Sequence, residues 1–267
     1  MTRPTPSAAG AGLLADLAAL GPYFAVEVHR PGSPLRPPWQ SLGELTVSPG
    51  ALAGRIGEVR GRLAAAAGYP DAAVEFRVAA SIAQLGLCAR LLSPALGAAA
   101  TGRTLPVDVG QARWVPALGG PFRLSLPEAA VLGAAVPGAA VPGAAVPGAA
   151  VPEAAVAAEA GTTATDALLA GPITQIVRAV EAMAVSPRVL WGNVASAING
   201  AAAMIAAARP DLAGPAAETA AAMLANPALT GTFQGRPLQG FRRRNCCLIY
   251  RLSPERPAYC GDCVLGQ

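Results

Sequence analysis

Four of the five cysteines in this chain fall within 18 consecutive positions: Cys246-Cys247, then twelve residues, then Cys260-Gly261-Asp262-Cys263. Nothing else in the 267 residues restricts the fold so tightly. Thiolates are soft ligands that select zinc, copper(I) or iron–sulfur clusters, and four of them in one short segment is the donor set of a metal centre. In Cys260-Gly261-Asp262-Cys263 the two intervening residues let the backbone fold back so that both sulfurs face one ion, and Gly261 offers the freedom for a positive φ. Cys246 and Cys247 pose a different problem. Adjacent Cα atoms lie about 3.8 Å apart, and neighbouring side chains on an extended segment point to opposite faces. The pair must leave strand geometry, or approach a broader, two-metal object from different sides.

Three kinds of thiol chemistry compete at this point. A disulfide set fits poorly, because adjacent cysteines fall below the usual Cα separation of about 4.4–6.8 Å and five thiols is an odd number. Structural zinc accepts any four thiolates, but its ligand pairs are normally separated by about two to four residues. An iron–sulfur cluster uses the same donors, and the residues favour it while leaving zinc open.

The segment RRRNCCLIYRL, starting at Arg242, and YCGDCVL, starting at Tyr259, resemble the carboxy-terminal signature of the FhuF-like ferric siderophore reductases. Val189-Leu190-Trp191-Gly192-Asn193 resembles a second segment of that family, and the long helix expected from Asp71 to about Leu96 is similar in kind. The spacer between the cysteine pairs is longer here than in the family pattern. The surplus falls in Ser253-Pro254-Glu255-Arg256-Pro257, where two prolines mark a surface turn that can lengthen without moving its ends. The resemblance implies that Cys246, Cys247, Cys260 and Cys263 bind a 2Fe–2S cluster. It further implies an oxidoreductase of iron acquisition, a ferric siderophore reductase that releases ferrous iron by one-electron transfer. No Rossmann turn or phosphate loop is found, so the electrons are expected from a separate donor, a ferredoxin or a reductase. Arg242, Arg243, Arg244, Arg251 and Arg256 surround the cysteines in sequence. They are candidates for raising the cluster potential and receiving an anionic chelate, and the plain alternative is a solvated basic turn. The competing reading of the whole chain is a helical module that binds siderophore or protein, with a structural zinc held by four cysteines.

Composition excludes some partners. The chain is 53% hydrophobic but only 4% aromatic, and all twenty basic residues are arginine, which reflects nucleotide bias before function. No basic stripe interleaved with aromatics is present, so nucleic acid is not expected as a partner. Met1 to Leu20 carries a short apolar run interrupted by Asp16, which argues against an export signal, and free thiols suit a reducing compartment, so a cytoplasmic location is expected. Val189 to Ala208 has the length to cross a bilayer. Asn193, Ser196 and Asn199 within it argue for a core helix, so no span is expected and peripheral membrane association is left open.

The pattern along the chain predicts a predominantly helical α+β fold: a helical body, a small antiparallel sheet and a C-terminal cysteine-rich lobe. Residues 1–130 form an N-terminal α+β half, 131–160 a low-complexity linker, 161–235 a helical half and 236–267 the cluster-binding segment. Gly10 to Leu20 reads as a short helix, and Phe24, Val26 and Val28 alternate as in a strand that places His29, the single histidine, on its polar side. Ser48-Pro49 starts a helix that Gly68 stops, and Asp71 is expected to cap the next, with Val74, Val78, Ile82, Leu85 and Leu92 as its apolar face and Cys88 as a core thiol. Leu105–Val109, Arg113–Pro116 and Phe122–Leu126 read as a meander of three strands. Gly133 to Pro152 repeats Gly-Ala-Ala-Val-Pro four times, which favours a tether over packed structure. Helices are then expected to open at Gly171-Pro172 and Ser186-Pro187 and to run from about Asp211 to Leu224. Gly231 to Gly240 reads as a loose hinge, and Leu248, Tyr250 and Leu252 as a strand.

Overall fold

The computed structural model describes residues 8–132, 164–252 and 259–265. The Gly-Ala-Ala-Val-Pro repeat and the proline-containing spacer that includes Arg256 lie outside the described residues. The fold is α+β and predominantly helical. Helix α1 (Ala8–Ala19) leads to strand β1 (Glu27–His29), β2 (Gln40–Ser41), a single turn α2 (Glu44–Val47), α3 (Pro49–Ala67) and the central helix α4 (Phe76–Ala100). Strands β3 (Arg113–Val115) and β4 (Arg123–Pro127) and the short α5 (Glu128–Leu132) follow. The second half contributes α6 (Thr174–Glu181), α7 (Pro187–Ala208), α8 (Ala213–Leu224) and a hairpin of β5 (Phe233–Arg236) and β6 (Gln239–Arg243).

Helix α3 has the ends its sequence specifies. The Ser48 side chain accepts from the Ala51 N–H, Pro49 occupies the first turn, and Gly68 closes the helix in the left-handed region at φ 74°. These are the residues that satisfy orphan donors and carbonyls at helix ends. Asp71 does not cap α4. It begins a separate 3-10 turn, Asp71–Ala73, and the extended Val74 and Glu75 delay the helix until Phe76, from which it runs to Ala100. The single apolar stripe expected of α4 is replaced by burial on nearly every side, with Ala79, Ala80, Leu87, Cys88, Leu91, Leu92 and Leu96 all in the core. A central helix is enclosed by its neighbours, so periodicity cannot single out one buried face. It packs against α7, α3 and α8, and one continuous cluster of buried side chains includes residues from both halves of the chain.

Arg90 sits inside this core at 2% exposure, and its guanidinium donates to three main-chain carbonyls, those of Phe122 (2.8 Å), Tyr23 (2.9 Å) and Ala25. No carboxylate is hydrogen-bonded to it there; burial pushes its pKa down to about 10, and it still carries its charge near neutrality. The cation thus ties the chain on either side of the sheet to α4 by satisfying carbonyls that a loop would otherwise leave unpaired.

The four-stranded sheet has the order β1-β4-β3-β2. It is mixed, not antiparallel throughout: β1 runs parallel to β4, with Val28 opposite Leu126, while β3 is antiparallel to both β4 and β2. Leu105–Val109 is buried at several positions but is irregular, not a strand. Gly171-Pro172 does not open a helix. Residues 164–168 are already helical, and the pair lies inside a π turn, Leu169–Ile173, whose wider winding accommodates a proline without an N–H; the Thr174 hydroxyl donates to the Leu169 carbonyl at 2.7 Å. Ile173, Ile176, Val177 and Val180 face inward. Helices α4 and α7 are long and apolar enough to cross a membrane, and 78% and 56% of their most apolar stretches are buried within the fold.

Two measurements test this packing. Gly97 on α4 lets α1 and the following loop approach closely, since a Cβ there would lie 3.0 Å from Leu17, Leu20 and Phe24 side chains. Gly97→Val is expected to cost about 1–3 kcal/mol in chemical denaturation through overpacking. His29 hydrogen-bonds Ser125 at 2.9 Å, and burial together with the Arg113 charge lowers its pKa from 6.5 to about 4. The folded chain therefore binds its proton less readily than the unfolded chain. The stability from His29 is complete above pH 6.5 and is lost as pH falls toward about 4. In His29→Gln the pH slope of the denaturation midpoint over that window should be shallower; an unchanged slope would contradict the assignment.

Candidate metal centre

The segment expected to be a loose hinge is instead the β5–β6 hairpin that delivers the chain to Cys246. Gly235, at φ 82°, crosses the partner strand so closely that a Cβ would lie 2.2 Å from the Gly240 carbonyl oxygen, so glycine is required there. Phe233 and Phe241 stack with ring centroids 5.3 Å apart, and the Leu238 N–H donates to Asn199 Oδ1 of α7 at 3.1 Å. Along β6 the side chains alternate: Phe241 and Arg243 are buried, Arg242 and Arg244 exposed. Alternation across the pleat thus sends two neighbouring arginines to opposite environments.

Arg243, at 1% exposure, enters a polar seam between α4 and α7. Its Nη2 donates to Asn193 Oδ1 at 2.6 Å. The Asn193 amide donates in turn to Gln84 Oε1 at 2.8 Å, the Ser81 carbonyl at 3.0 Å and the Ser81 hydroxyl at 3.1 Å. Gly192 makes room for the guanidinium, because a Cβ there would lie 3.2 Å from Nη2. The Ser81 hydroxyl donates to the main-chain carbonyl of Cys247 at 2.9 Å. Ser81, Gln84 and Asn193 thus connect the main chain of the first cysteine pair to the two longest helices.

At Leu248 the backbone turns into the left-handed region, φ 72°, and what was expected to be a strand becomes a 3-10 turn, Ile249–Leu252. The kink lets the Leu248 N–H donate back to Cys246 Sγ at 3.3 Å. The second pair is closed by the Cys263 N–H donating to the Cys260 carbonyl at 3.0 Å, and Gly261 does so without a positive φ. This turn is bound to β6: the Arg243 N–H donates to the Asp262 carbonyl at 2.9 Å and Arg242 Nη1 reaches the Cys263 carbonyl at 3.4 Å. The Leu265 N–H donates to Cys263 Sγ at 3.3 Å.

These anchors bring one thiol of each pair together, with Cys247 Sγ and Cys260 Sγ 3.7 Å apart. Two ligands on a tetrahedral metal with bonds of about 2.3 Å sit about 3.8 Å from each other, so this edge has ligand spacing. Cys246 lies within electrostatic reach of Cys247 and Cys263. Among the described residues no group of three or more His, Cys, Asp or Glu side chains converges closely enough to hold an ion. Cys247 and Cys263 are buried, while Cys246 and Cys260 are half-buried. The hydrogen bond shared by the two sulfurs pulls the Cys247 thiol down and pushes Cys260 up. Burial raises Cys246. Arg243 favours the thiolate form at all three, and its Nε and Nη1 are buried with no partner among the described residues.

A buried cation whose Nε and Nη1 are unused among the described residues, within electrostatic reach of Cys246, Cys247 and Cys260, favours an anionic thiolate centre, and the donor types suit both a 2Fe–2S cluster and zinc. The other arginines differ from Arg243. Arg251 pairs with Glu75 at 2.7 Å, and Arg242 and Arg244 face outward. Cys88 takes no part: it is fully buried, accepts from Gln84 at 3.1 Å, and burial raises its pKa to about 12. The sequence reading missed Ser81 and Gln84 as part of this site. Their signal is polarity where α4 is otherwise apolar, in line with Asn193 on the facing helix.

Comparison of the chain with family models, curated proteins and solved structures finds no match.

Replacing Asn193 with alanine should leave the Arg243 guanidinium and the Gln84 amide without their shared partner. We expect a loss of about 2–4 kcal/mol in unfolding free energy, with Cys247 becoming more accessible to alkylation. A variant as stable as the parent would show that the seam does not hold the lobe.

Proposed function

We propose that this chain is an iron–sulfur protein that reduces ferric iron in an oxygen-donor chelate, a ferric siderophore, by one-electron transfer. The observation that carries the reading is the Cys247–Cys260 edge at 3.7 Å together with the buried Arg243, whose Nε and Nη1 have no partner among the described residues. Cys246, Cys247, Cys260 and Cys263 would hold a 2Fe–2S cluster, which when bound supplies a one-electron couple. The remaining chemistry belongs to the chain. The cation of Arg243 and the N–H groups of Leu248 and Leu265 offset negative charge on sulfur, which favours the electron-rich state and raises the potential. Burial of Cys247 and Cys263 keeps water from half of the ligand set, and half-exposed Cys246 and Cys260 provide the edge at which an electron enters or leaves.

The substrate needs no acid or base from the protein. Ferric iron is a hard cation held by hard oxygen donors, and lowering its charge weakens those bonds, so reduction alone releases the metal. A separate ferredoxin or reductase supplies the electron, in a cytoplasm that keeps the thiols reduced. The same sulfur spacing would serve a structural zinc site in a helical binding module, and metal content separates the two.

Anaerobically purified protein is expected to be brown, with about two iron and two sulfide per chain, an absorption that dithionite bleaches, and a paramagnetic signal when reduced. Cys247→Ser should abolish the cluster and ferric reduction together. Colourless protein containing stoichiometric zinc, or a Cys247→Ser variant that keeps its iron, would overturn the reading.

A further inference from the structure

A cavity of about 250 Å³ lies between α3, α4 and the loop that leads into β4. Its wall is mostly apolar, with Val59 and Leu63 from α3, Ile82 and Leu87 from α4, and Leu118 and Phe122 from the loop. Helix α4 leaves this space open by presenting its smallest residues to it, Ala83 and Gly86, and a Cβ built on Gly86 would meet nothing within 4 Å. Arg62, Gly86 and Gly119 are exposed and mark the mouth. None of the described lining residues belongs to the thiol lobe, so this cavity is not part of the candidate metal centre.

The charge in this wall is of one sign. Arg55 and Arg62 line it, and no Asp or Glu among the described residues does. The two arginines differ in what they still offer. Arg55 is engaged: it donates to Glu58 at 3.0 Å and to the Ala117 carbonyl at 2.6 Å, and its guanidinium lies 5.1 Å from the Trp114 ring centroid. Glu58 sits one helical turn before Arg62, yet its carboxylate pairs with Arg55. Arg62 has no hydrogen-bond or ion-pair partner among the described residues. Its guanidinium packs instead against Gly119, which at φ 81° comes so close that a Cβ would lie 3.3 Å from both Nε and Nη2. Beneath the wall, the carbonyls of the lining residues Tyr23 and Phe122 accept from the buried Arg90 cation. Positive charge thus borders the apolar space both at its mouth and below it.

We propose that this cavity binds a small organic carboxylate, its aromatic or aliphatic body between α3 and α4 and its carboxylate on Arg62. The site goes beyond the electron-transfer reading and does not depend on it. An apolar recess with a few convergent polar groups is the usual form of a small-molecule site, and this one lies just below the common range of about 300–1,000 Å³, which selects a small ligand. The guanidinium selects the head group, because its paired N–H donors match the two oxygens of a carboxylate. The apolar wall selects the body, whose burial adds affinity in proportion to the area removed from water. An amine of the same size would meet only like charge.

The test titrates the full chain, as isolated, with 4-phenylbutyrate and octanoate by calorimetry, and in parallel with 4-phenylbutanol, 1-octanol and octylamine. At least one carboxylate should bind with a Kd of about 1 mM or tighter, its alcohol about tenfold more weakly, and the amine not measurably. Arg62→Gln should reduce the carboxylate to the affinity of the alcohol, whereas Arg209→Gln, at the end of α7, removes the same charge elsewhere and should change nothing. Gly86→Met places a side chain in the cavity and should abolish binding of acid and alcohol alike, with a melting transition no lower than the parent's because a helix-interior glycine is replaced. Arg62→Gln alters an exposed side chain and tests the site even if Gly86→Met fails to fold. Tighter binding of octanoate or of 4-phenylbutyrate assigns the body as aliphatic or aromatic, and either supports the site. No carboxylate binding at about 10 mM, equal affinity for acid and alcohol, or indifference to Arg62→Gln or to a folded Gly86→Met would overturn it. An iron-free chain that binds the carboxylate would keep this site and remove the reductase reading. An iron–sulfur chain that binds none would do the reverse.

Discussion

The carboxamide of Asn193 is the point on which the candidate site turns. Its two donors and its acceptor are all engaged below the protein surface, toward Ser81 and Gln84 on the central helix and toward Arg243 on the hairpin. Buried amides are costly unless satisfied, so this residue fixes the relative placement of three elements at once. Two helices that met only through alanine and leucine could slide past one another with little penalty. A polar seam with one partner for each group defines a single register, and the hairpin that enters it carries the cysteines to a defined place.

The seam also explains which parts of the molecule were legible in its sequence. Both ends of α3 and the start of α7 were, because Ser48, Pro49, Gly68 and Pro187 act on their own neighbours within one turn. Other features depended on contacts distant in sequence. The parallel pairing of β1 with β4 joins segments about a hundred residues apart, and nothing local to Glu27–His29 records it. The hairpin was hidden by its own glycines: Gly235 and Gly240 read as looseness, yet Gly235 permits a crossing too close for any side chain and Gly240 turns at a positive φ of 67°. At Leu248 an alternating apolar pattern suggested a strand, and the left-handed kink that the adjacent cysteines need overrode it. In each case backbone geometry decided an outcome that side-chain type did not encode.

Charge in the lobe has two separate consequences because β6 is a strand. Consecutive arginines on a helix would fan around one surface. Here the pleat divides them, sending Arg243 into the low-dielectric seam and Arg242 and Arg244 to water. A buried cation beside thiolates acts strongly on their charge and is nearly indifferent to salt, whereas the exposed pair acts at long range and is screened within about 8–10 Å. One sequence run, Arg242-Arg243-Arg244, thus places one cation inside the seam and two at the surface.

The spacer between the cysteine pairs is where the chain departs from the pattern it resembles, and the hydrogen bonds show why its length need not set the site. Cys247 is held by Ser81 of α4, and the Cys260–Cys263 turn is held by the main chain of Arg243 and the side chain of Arg242. Both pairs are therefore positioned by elements outside the spacer, on the scaffold that Asn193 locks. Extra residues between two independently anchored ends add only loop-closure entropy, which grows slowly with length, at about 0.6 kcal/mol per doubling. A few inserted residues change that term by a fraction of this amount, far less than the loss of one buried hydrogen-bonded anchor. Sulfur spacing in this chain is consequently a property of the hairpin and helices.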